Sequence, residues 1–229
     1  MSNTSDKLIL AIETSRKSGS LALLGGEATL AVWTGDEQSS SSADLLPQIK
    51  RLLERRDLRL AQIAALAVSV GPGSFTGLRV GIATAQALAF ASRRPICGVP
   101  LLAALADAAR GEGRIVAVAG AGRALFFRQA FRKSARQFGA LEILSAPETI
   151  SGEQLLIKQR AEKTSRLILE PEAFESYTRA GGDERIAETY TGNLANLIGR
   201  YCASDKAKAS SSQLVLPLYV RETIFSKNS

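Results

Sequence analysis

Apolar positions along the chain fall into short continuous runs that alternate with stretches of helical spacing. The apolar run at 8–12 predicts a buried strand over 7–12, and two more short runs follow at 20–24 and 28–33, separated by Gly25 and Gly26. That pattern is a three-strand meander. After a polar loop containing residues 39–42, Leu45, Leu46, Ile49, Leu52 and Leu53 recur at helical spacing, with Ser42 as the expected cap and Pro47 in the first turn, where a missing donor costs least. A strand over 63–70, a long apolar helix over 75–91, a strand over 95–99 and a shorter helix over 101–109 complete the order β-β-β-α-β-α-β-α.

The same order then begins again more faintly. Strands are predicted over 114–119, 125–131, 141–144 and 167–169, and helices over 153–160 and 192–203, while residues 170–190 carry little periodic signal. The glycine-flanked seam at 110–113 divides the chain into an N-terminal domain over 1–109 and a smaller C-terminal α/β domain over 110–229. No short sequence repeat is visible, so a duplication here is one of topology. The apolar tail at 214–220 is expected to dock on the body, and residues from Ser226 onwards to fray.

Composition narrows the chemistry more than the fold. The 229 residues include no histidine, which removes a Ser-His-Asp triad, a Cys-His dyad and the usual zinc sites. Catalytic and metal-binding residues are therefore not assigned. Cys97 and Cys202 stand far apart in the sequence and in no Cys-x-x-Cys pair, so they predict a reduced chain rather than a redox motif. The polar N-terminus and the short apolar run behind it predict neither a signal peptide nor a membrane span, and so a cytoplasmic protein. The net charge of +7 is spread over both halves. Between Glu112 and Glu142, however, Arg114, Arg123, Arg128, Arg132, Lys133 and Arg136 stand without an acidic neighbour, which reads as a solvated strand face or as a nucleic-acid surface.

Three features carry candidate chemistry. Glu13, Thr14 and Ser15 follow a buried strand and form either a side-chain-stabilised turn or a Mg²⁺ or phosphate contact. Gly71, Gly73 and Ser74 join a strand to the long helix, whose unpaired N–H groups favour an anion. The loop lacks the Gly-Lys-Ser/Thr ending of a Walker loop and the third glycine of a dinucleotide fingerprint, so a tight turn capped by Ser74 is the alternative. Within the helix, Gly77, Gly81 and Ala85 lie four apart on one side and admit a close neighbour, either the domain's own sheet or another subunit.

The run from Gly71 to Gly81, Gly-Pro-Gly-Ser-Phe-Thr-Gly-Leu-Arg-Val-Gly, resembles the signature of the bacterial tRNA threonylcarbamoyladenosine biosynthesis proteins of the TsaB, or YeaZ, family. Leu10 to Ser15, Leu45-Leu46-Pro47, Ile96 to Val99 and Leu216 to Arg221 agree with that family in the same order. The likeness is strong over 7–105 and weak over 106–210. It implies an α/β fold of the actin-like ATPase (sugar-kinase-like, ribonuclease H-like) type with two related domains. It also implies a non-catalytic protein that pairs with and activates a TsaD-type catalytic subunit, assisted by a TsaE-type ATPase, with homodimerisation as a substitute. The modified base would be the adenosine beside the anticodon. No cofactor is required, and ATP or ADP with Mg²⁺ at a complex interface is the exception the resemblance allows.

On that reading Leu45, Leu46, Ile49, Leu53, Gly77, Gly81 and Ala85 form the partner interface, and Glu13, Thr14, Ser15, Gly71, Gly73 and Ser74 are the residues for a nucleotide or phosphate. Family members often carry His-Ser where this chain has Ser41-Ser42, and an Asp-Ala-Arg where it has Ala119-Gly120-Ala121. The rival class is an enzyme of the same fold, a small ATPase or sugar-type kinase using Glu13 for Mg²⁺ and the Gly71–Ser74 turn for phosphate. A glycoprotease, an old label of the family, needs a metal or a nucleophile–base pair for which no motif is present.

Overall fold

The computed structural model describes residues 7–26, 28–36, 45–134, 141–162, 166–204 and 214–220. Ser41, Ser42, Arg136 and the end of the chain lie outside them, and so do the expectations placed there. The chain divides into two compact units, one built from Met1–Ala104 and Gly192–Leu218, the other from Leu105–Thr191 with the end of the chain.

In the first unit β1 (Leu8–Glu13), β2 (Ser20–Gly25) and β3 (Ala28–Thr34) make the predicted meander. They are followed by α1 (Leu45–Glu54), β4 (Ala65–Gly71), α2 (Phe75–Ser92) and β5 (Ile96–Pro100). The strand order is β3-β2-β1-β4-β5, with β4 and β5 parallel to β1. β1 and β4 are almost wholly buried because both faces of the sheet are covered, which is why they read as unbroken apolar runs rather than as alternation.

One face carries Leu10, Ile12, Leu21, Leu23, Leu66, Val68 and Ile96 and packs against Leu45, Ile49, Leu52 and Leu53 of α1 and Ile82, Ala85 and Ala89 of α2. The opposite face has a floor of small residues, since Ala22 pairs with Ala11, Ala11 with Ala67, and Ala67 with Cys97. Across that floor lies α6 (Leu194–Ala203). A Cβ on its Gly199 would come within 3.1 Å of Ala11 Cβ, so glycine is what lets the helix come this close. The first turn of α6 is anchored by Asn193, whose side chain accepts from Asn196 N, and by Ser20 Oγ, which accepts from Ala195 N at 3.0 Å.

The helix over 192–203 was expected in the second domain, and its place on the first sheet corrects that division at 109/110. Its buried stripe of Ala195, Leu197, Ile198 and Gly199 matches the small-residue floor, a fit that helical spacing alone does not reveal. The tail docks on the other face as expected: Leu218 N donates to Val70 O at 2.7 Å, and Gln86 Nε2 to Val215 O at 3.0 Å.

α3 (Leu101–Ala108) carries the chain from the first unit into the second. The second unit holds β6 (Gly113–Gly122), β7 (Leu125–Lys133), β8 (Leu141–Ile143), β9 (Glu148–Ser151), α4 (Gly152–Ala161), β10 (Arg166–Leu169), α5 (Pro171–Arg179) and β11 (Ala187–Thr189). Its order β11-β10-β6-β7-β8, with β10 and β11 parallel to β6 and with β7 and β8 antiparallel, repeats the topology of the first sheet. Two units of this order are what the actin-like ATPase fold requires. β9, α5 and β11 are additions to the predicted elements. α5 buries only Ala173 and Tyr177, four apart, with Phe174 partly covered beside them, too narrow a stripe to stand out among 170–190.

Candidate partner-binding surface

The glycine-rich signature and the exit of β1 fold onto each other. Ser15 receives two roles: its N–H and Oγ–H both donate to Glu13 Oε1, the former at 2.6 Å, and its carbonyl accepts from Ser74 N at 2.9 Å. Thr14 Oγ1 donates to Gly77 O at 2.8 Å, and Arg16 Nη2 to Pro72 O at 3.1 Å. Ser74 caps α2 by accepting from Gly77 N at 3.2 Å. Glu13, Thr14 and Ser15 are buried within this interlock.

Each glycine of the signature has a steric reason. Gly71 has φ +100°, a conformation that side chains rarely adopt. A Cβ at Gly73 would lie 2.5 Å from Ser15 Cβ, one at Gly77 1.9 Å from Thr14 O, and one at Gly81 2.0 Å from Thr14 Oγ1. The six residues singled out for phosphate are thus brought together, and the contacts among them fix the angle at which α2 leaves the sheet. Gly77, Gly81 and Ala85 face the domain's own strand β1 or core, so their assignment to a partner interface is corrected in favour of the domain's own sheet.

The same correction applies to α1. Leu45, Ile49 and Leu53 are buried in the core of the first unit, and of the four α1 side chains assigned to the interface only Leu46 is exposed, at 57%. What the two helices turn outward is Leu46 on α1, a member of the predicted spacing, and on α2 Phe75 (53% exposed) and Phe90 (76% exposed), which lie off the glycine stripe. The Arg79 guanidinium sits 3.7 Å from the Phe75 ring centroid and covers one of its faces. Between α1 and α2 a depression of about 340 Å³ is lined by the apolar residues Ile49, Leu53, Leu58 and Leu88 and by the charged residues Lys50, Glu54 and Arg59, with Lys50 paired to Glu54. Lys50, Arg51, Arg55, Arg56 and Arg59 against Glu54 and Asp57 make the end of α1 and its turn basic. A partner fitting this surface presents apolar knobs with acidic neighbours.

The sequence pattern identifies the two helices and Leu46, but not Phe75 and Phe90. Phe75 and Phe90 are large apolar residues outside the i, i+4 stripe of Gly77, Gly81 and Ala85, and that departure is the signal available in the sequence. Leu58, Leu60 and Leu88 are half-buried around the depression and were not singled out.

The basic stretch of the second unit is largely neutralised within it. Arg128 is buried and holds Glu148 at 2.7 Å and Glu162 at 3.0 Å; Arg114 reaches Glu162 at 3.2 Å, Arg132 reaches Glu142 at 2.9 Å, and Lys133 donates to the carbonyls of Asp107 and Ala109. This supports the reading as a strand face over that as a nucleic-acid surface. At Ala119-Gly120-Ala121, Gly120 N donates to Glu170 Oε1 at 2.8 Å, and Glu170 is buried. No group of three or more metal-ligating side chains comes together among the described residues, nor is any helix among them long and apolar enough to cross a membrane.

With this geometry in view, the comparisons with known proteins converge. The family model "TsaD: tRNA N6-adenosine threonylcarbamoyltransferase" matches residues 37–213. The tRNA threonylcarbamoyladenosine biosynthesis protein TsaB of Haemophilus influenzae is 37% identical over 133 residues, 56% of each chain, and that of Escherichia coli is 36% identical over 112 residues, 48% of each. The chain thus aligns over about half the length of the curated relatives it matches. A crystal structure of a Pseudomonas aeruginosa protein with similarity to peptidase YeaZ superposes with a TM-score of 0.71 at 24% identity, covering 94% of this chain and 100% of that one, which shows the same fold. By the family model across most of its length, the chain belongs to the TsaD family, and the relatives it resembles there include TsaB (YeaZ) proteins.

Proposed function

We propose that the protein is a non-catalytic partner in threonylcarbamoyladenosine formation on tRNA, which binds a TsaD-type catalytic subunit through the outward faces of α1 and α2 and activates it on the adenosine beside the anticodon. A TsaE-type ATPase completes the set of components, and a homodimer through the same faces is the resting form when the catalytic subunit is absent. The observation that carries this reading is the display of Leu46 on α1 and of Phe75 and Phe90 on α2, the helix whose angle the signature glycines fix. Large apolar side chains that a domain leaves in water on adjacent helices mark a contact surface. The rival reading as a small kinase or ATPase asks Glu13 and the Gly71–Ser74 turn to hold Mg²⁺ and phosphate, whereas Glu13 Oε1 and the Ser74 N–H are both engaged with Ser15.

Leu46→Asp and Phe90→Asp test the surface. Both side chains are exposed, so thermal stability and circular dichroism are expected to stay near the parent values. Size-exclusion chromatography with light scattering, on each variant mixed with the TsaD-type subunit of the same organism, is expected to show the one-to-one complex weakened by about 100-fold, as for loss of an interface anchor. A complex that survives both substitutions unchanged removes this surface from the assignment. Phosphate release by the isolated chain that disappears in Glu13→Gln would transfer support to the enzyme reading.

A further inference from the structure

The two cysteines are separated by most of the second unit in sequence, yet both belong to the first unit. Cys97 is the last member of the small-residue row Ala22, Ala11, Ala67, Cys97 on the face covered by α6, and it is buried. Cys202 lies three residues beyond Gly199, one turn along the same side of α6, and α6 is in contact with β5, the strand that carries Cys97. As small apolar residues both suit this floor. What sets them apart from alanine is that their thiols meet and share a hydrogen bond.

We propose that Cys97 and Cys202 are a modification site, a dithiol that closes to an intramolecular disulfide when the protein meets a two-electron oxidant such as hydrogen peroxide. One thiol takes an oxygen from peroxide to become a sulfenic acid, and one water is released. The neighbouring sulfur then attacks the sulfenic sulfur, its proton leaves with the displaced oxygen as a second water, and the S–S bond forms. Two thiols and one peroxide are consumed, and a disulfide and two waters are produced.

Cys97 is the readier thiolate of the two, because the hydrogen bond from Cys202 lowers its pKa against the opposing effect of burial. The same hydrogen bond, with burial adding to it, pushes Cys202 well up. Cys202 is only half-buried, near the end of α6, so the pair is open to solvent from one side. Closure ties α6, the segment that returns from the second unit, covalently to β5. The link joins two elements that are already in contact.

The experiment uses the full chain, reduced and then exposed to stoichiometric peroxide, with alkylation under denaturing conditions and intact mass spectrometry. The expected result is loss of the mass of two hydrogens with both cysteines unreactive to alkylation, a tryptic pair linking Cys97 to Cys202, and full reversal by dithiothreitol. Cys97→Ser and Cys202→Ser are each expected to abolish the mass loss, and the parent chain in urea is expected to close more slowly than the folded one. Stable addition of oxygen to either cysteine, disulfide-linked dimers as the main product, or closure that is no faster in the folded chain would each overturn the proposal. Because the test reads sulfur chemistry alone, its outcome is independent of whether the chain binds a TsaD-type subunit.

Discussion

Gly77→Ala is expected to destabilise the protein by about 3 kcal/mol, even though alanine in a helix is intrinsically favoured over glycine by about 1 kcal/mol. The new Cβ would lie 1.9 Å from the carbonyl oxygen of Thr14, a backbone atom at the end of a buried central strand, and neither partner can step aside without shifting β1 or α2. Gly81→Ala meets a different atom, the Thr14 hydroxyl at 2.0 Å, which belongs to a side chain. The two glycines therefore separate in a double-mutant test. Thr14→Ala removes Oγ1 and is expected to restore a large part of the stability lost in Gly81→Ala, with a coupling of about 1–2 kcal/mol, and to restore none of that lost in Gly77→Ala. Urea midpoints of the parent and the five variants decide the matter. Equal rescue of both glycine variants would mean that α2 relaxes as a whole, and that the interlock described here does not set its position.

The same contacts revise what substitution of Gly81 by a bulky residue reports. Were the glycine row a subunit interface, such a variant would remain a folded monomer and lose only association. With Thr14 behind it, the variant is expected to lose the fold of the first unit before any partner is added. Small residues at four-residue spacing announce a close approach, and the sequence does not say what approaches.

That limit recurs at several places, always for the same physical reason. The strands β1 and β4 and the helices α1 and α2 are legible because burial on both faces, or on one stripe, is written into neighbouring residues. The destination of α6 is not, because its apolar stripe is complementary to alanines on strands far away in the chain, and to the close approach of Gly199 to Leu24 and Ala11. The thiol pair is hidden in the same way. Spacing in sequence argues against a redox motif, whereas the register Ala67 to Cys97 and the turn from Gly199 to Cys202 bring the sulfurs together. At the partner surface, periodicity points to the side of each helix that the domain itself covers. Of the large apolar side chains left exposed on these helices, Phe75 and Phe90 break the period, whereas Leu46 belongs to it.

The arginines of β7 give the second large effect and separate a strand face from an RNA-binding one. Arg128 is 4% exposed, and its guanidinium joins Glu148 and Glu162, carboxylates that are themselves mostly covered. Removing it in Arg128→Ala leaves two partly buried negative charges without their shared cation. The expected loss is about 3 kcal/mol, the lower end for a broken buried pair, because water still reaches both carboxylates. Four residues along the same strand, Arg132 pairs with Glu142 where both are 59% exposed, and Arg132→Ala is expected to change stability by no more than about 0.5 kcal/mol. pH supplies an independent check. Burial pushes the Glu148 carboxyl up, but the hydrogen bonds and charges of Lys158 and Arg128 outweigh it and hold its pKa below the ordinary value of 4.5. A pKa depressed by folding contributes stability that is complete above 4.5 and is lost as the pH falls through the lower folded value. Glu148→Gln is therefore expected to be less stable than the parent at neutral pH and to show a shallower loss on acidification, measured by urea unfolding across the acid range. If this stretch were a nucleic-acid surface instead, both arginine variants would weaken tRNA binding alike and leave the unfolding midpoint where it was, and that pattern would return the basic strand to the candidate interface.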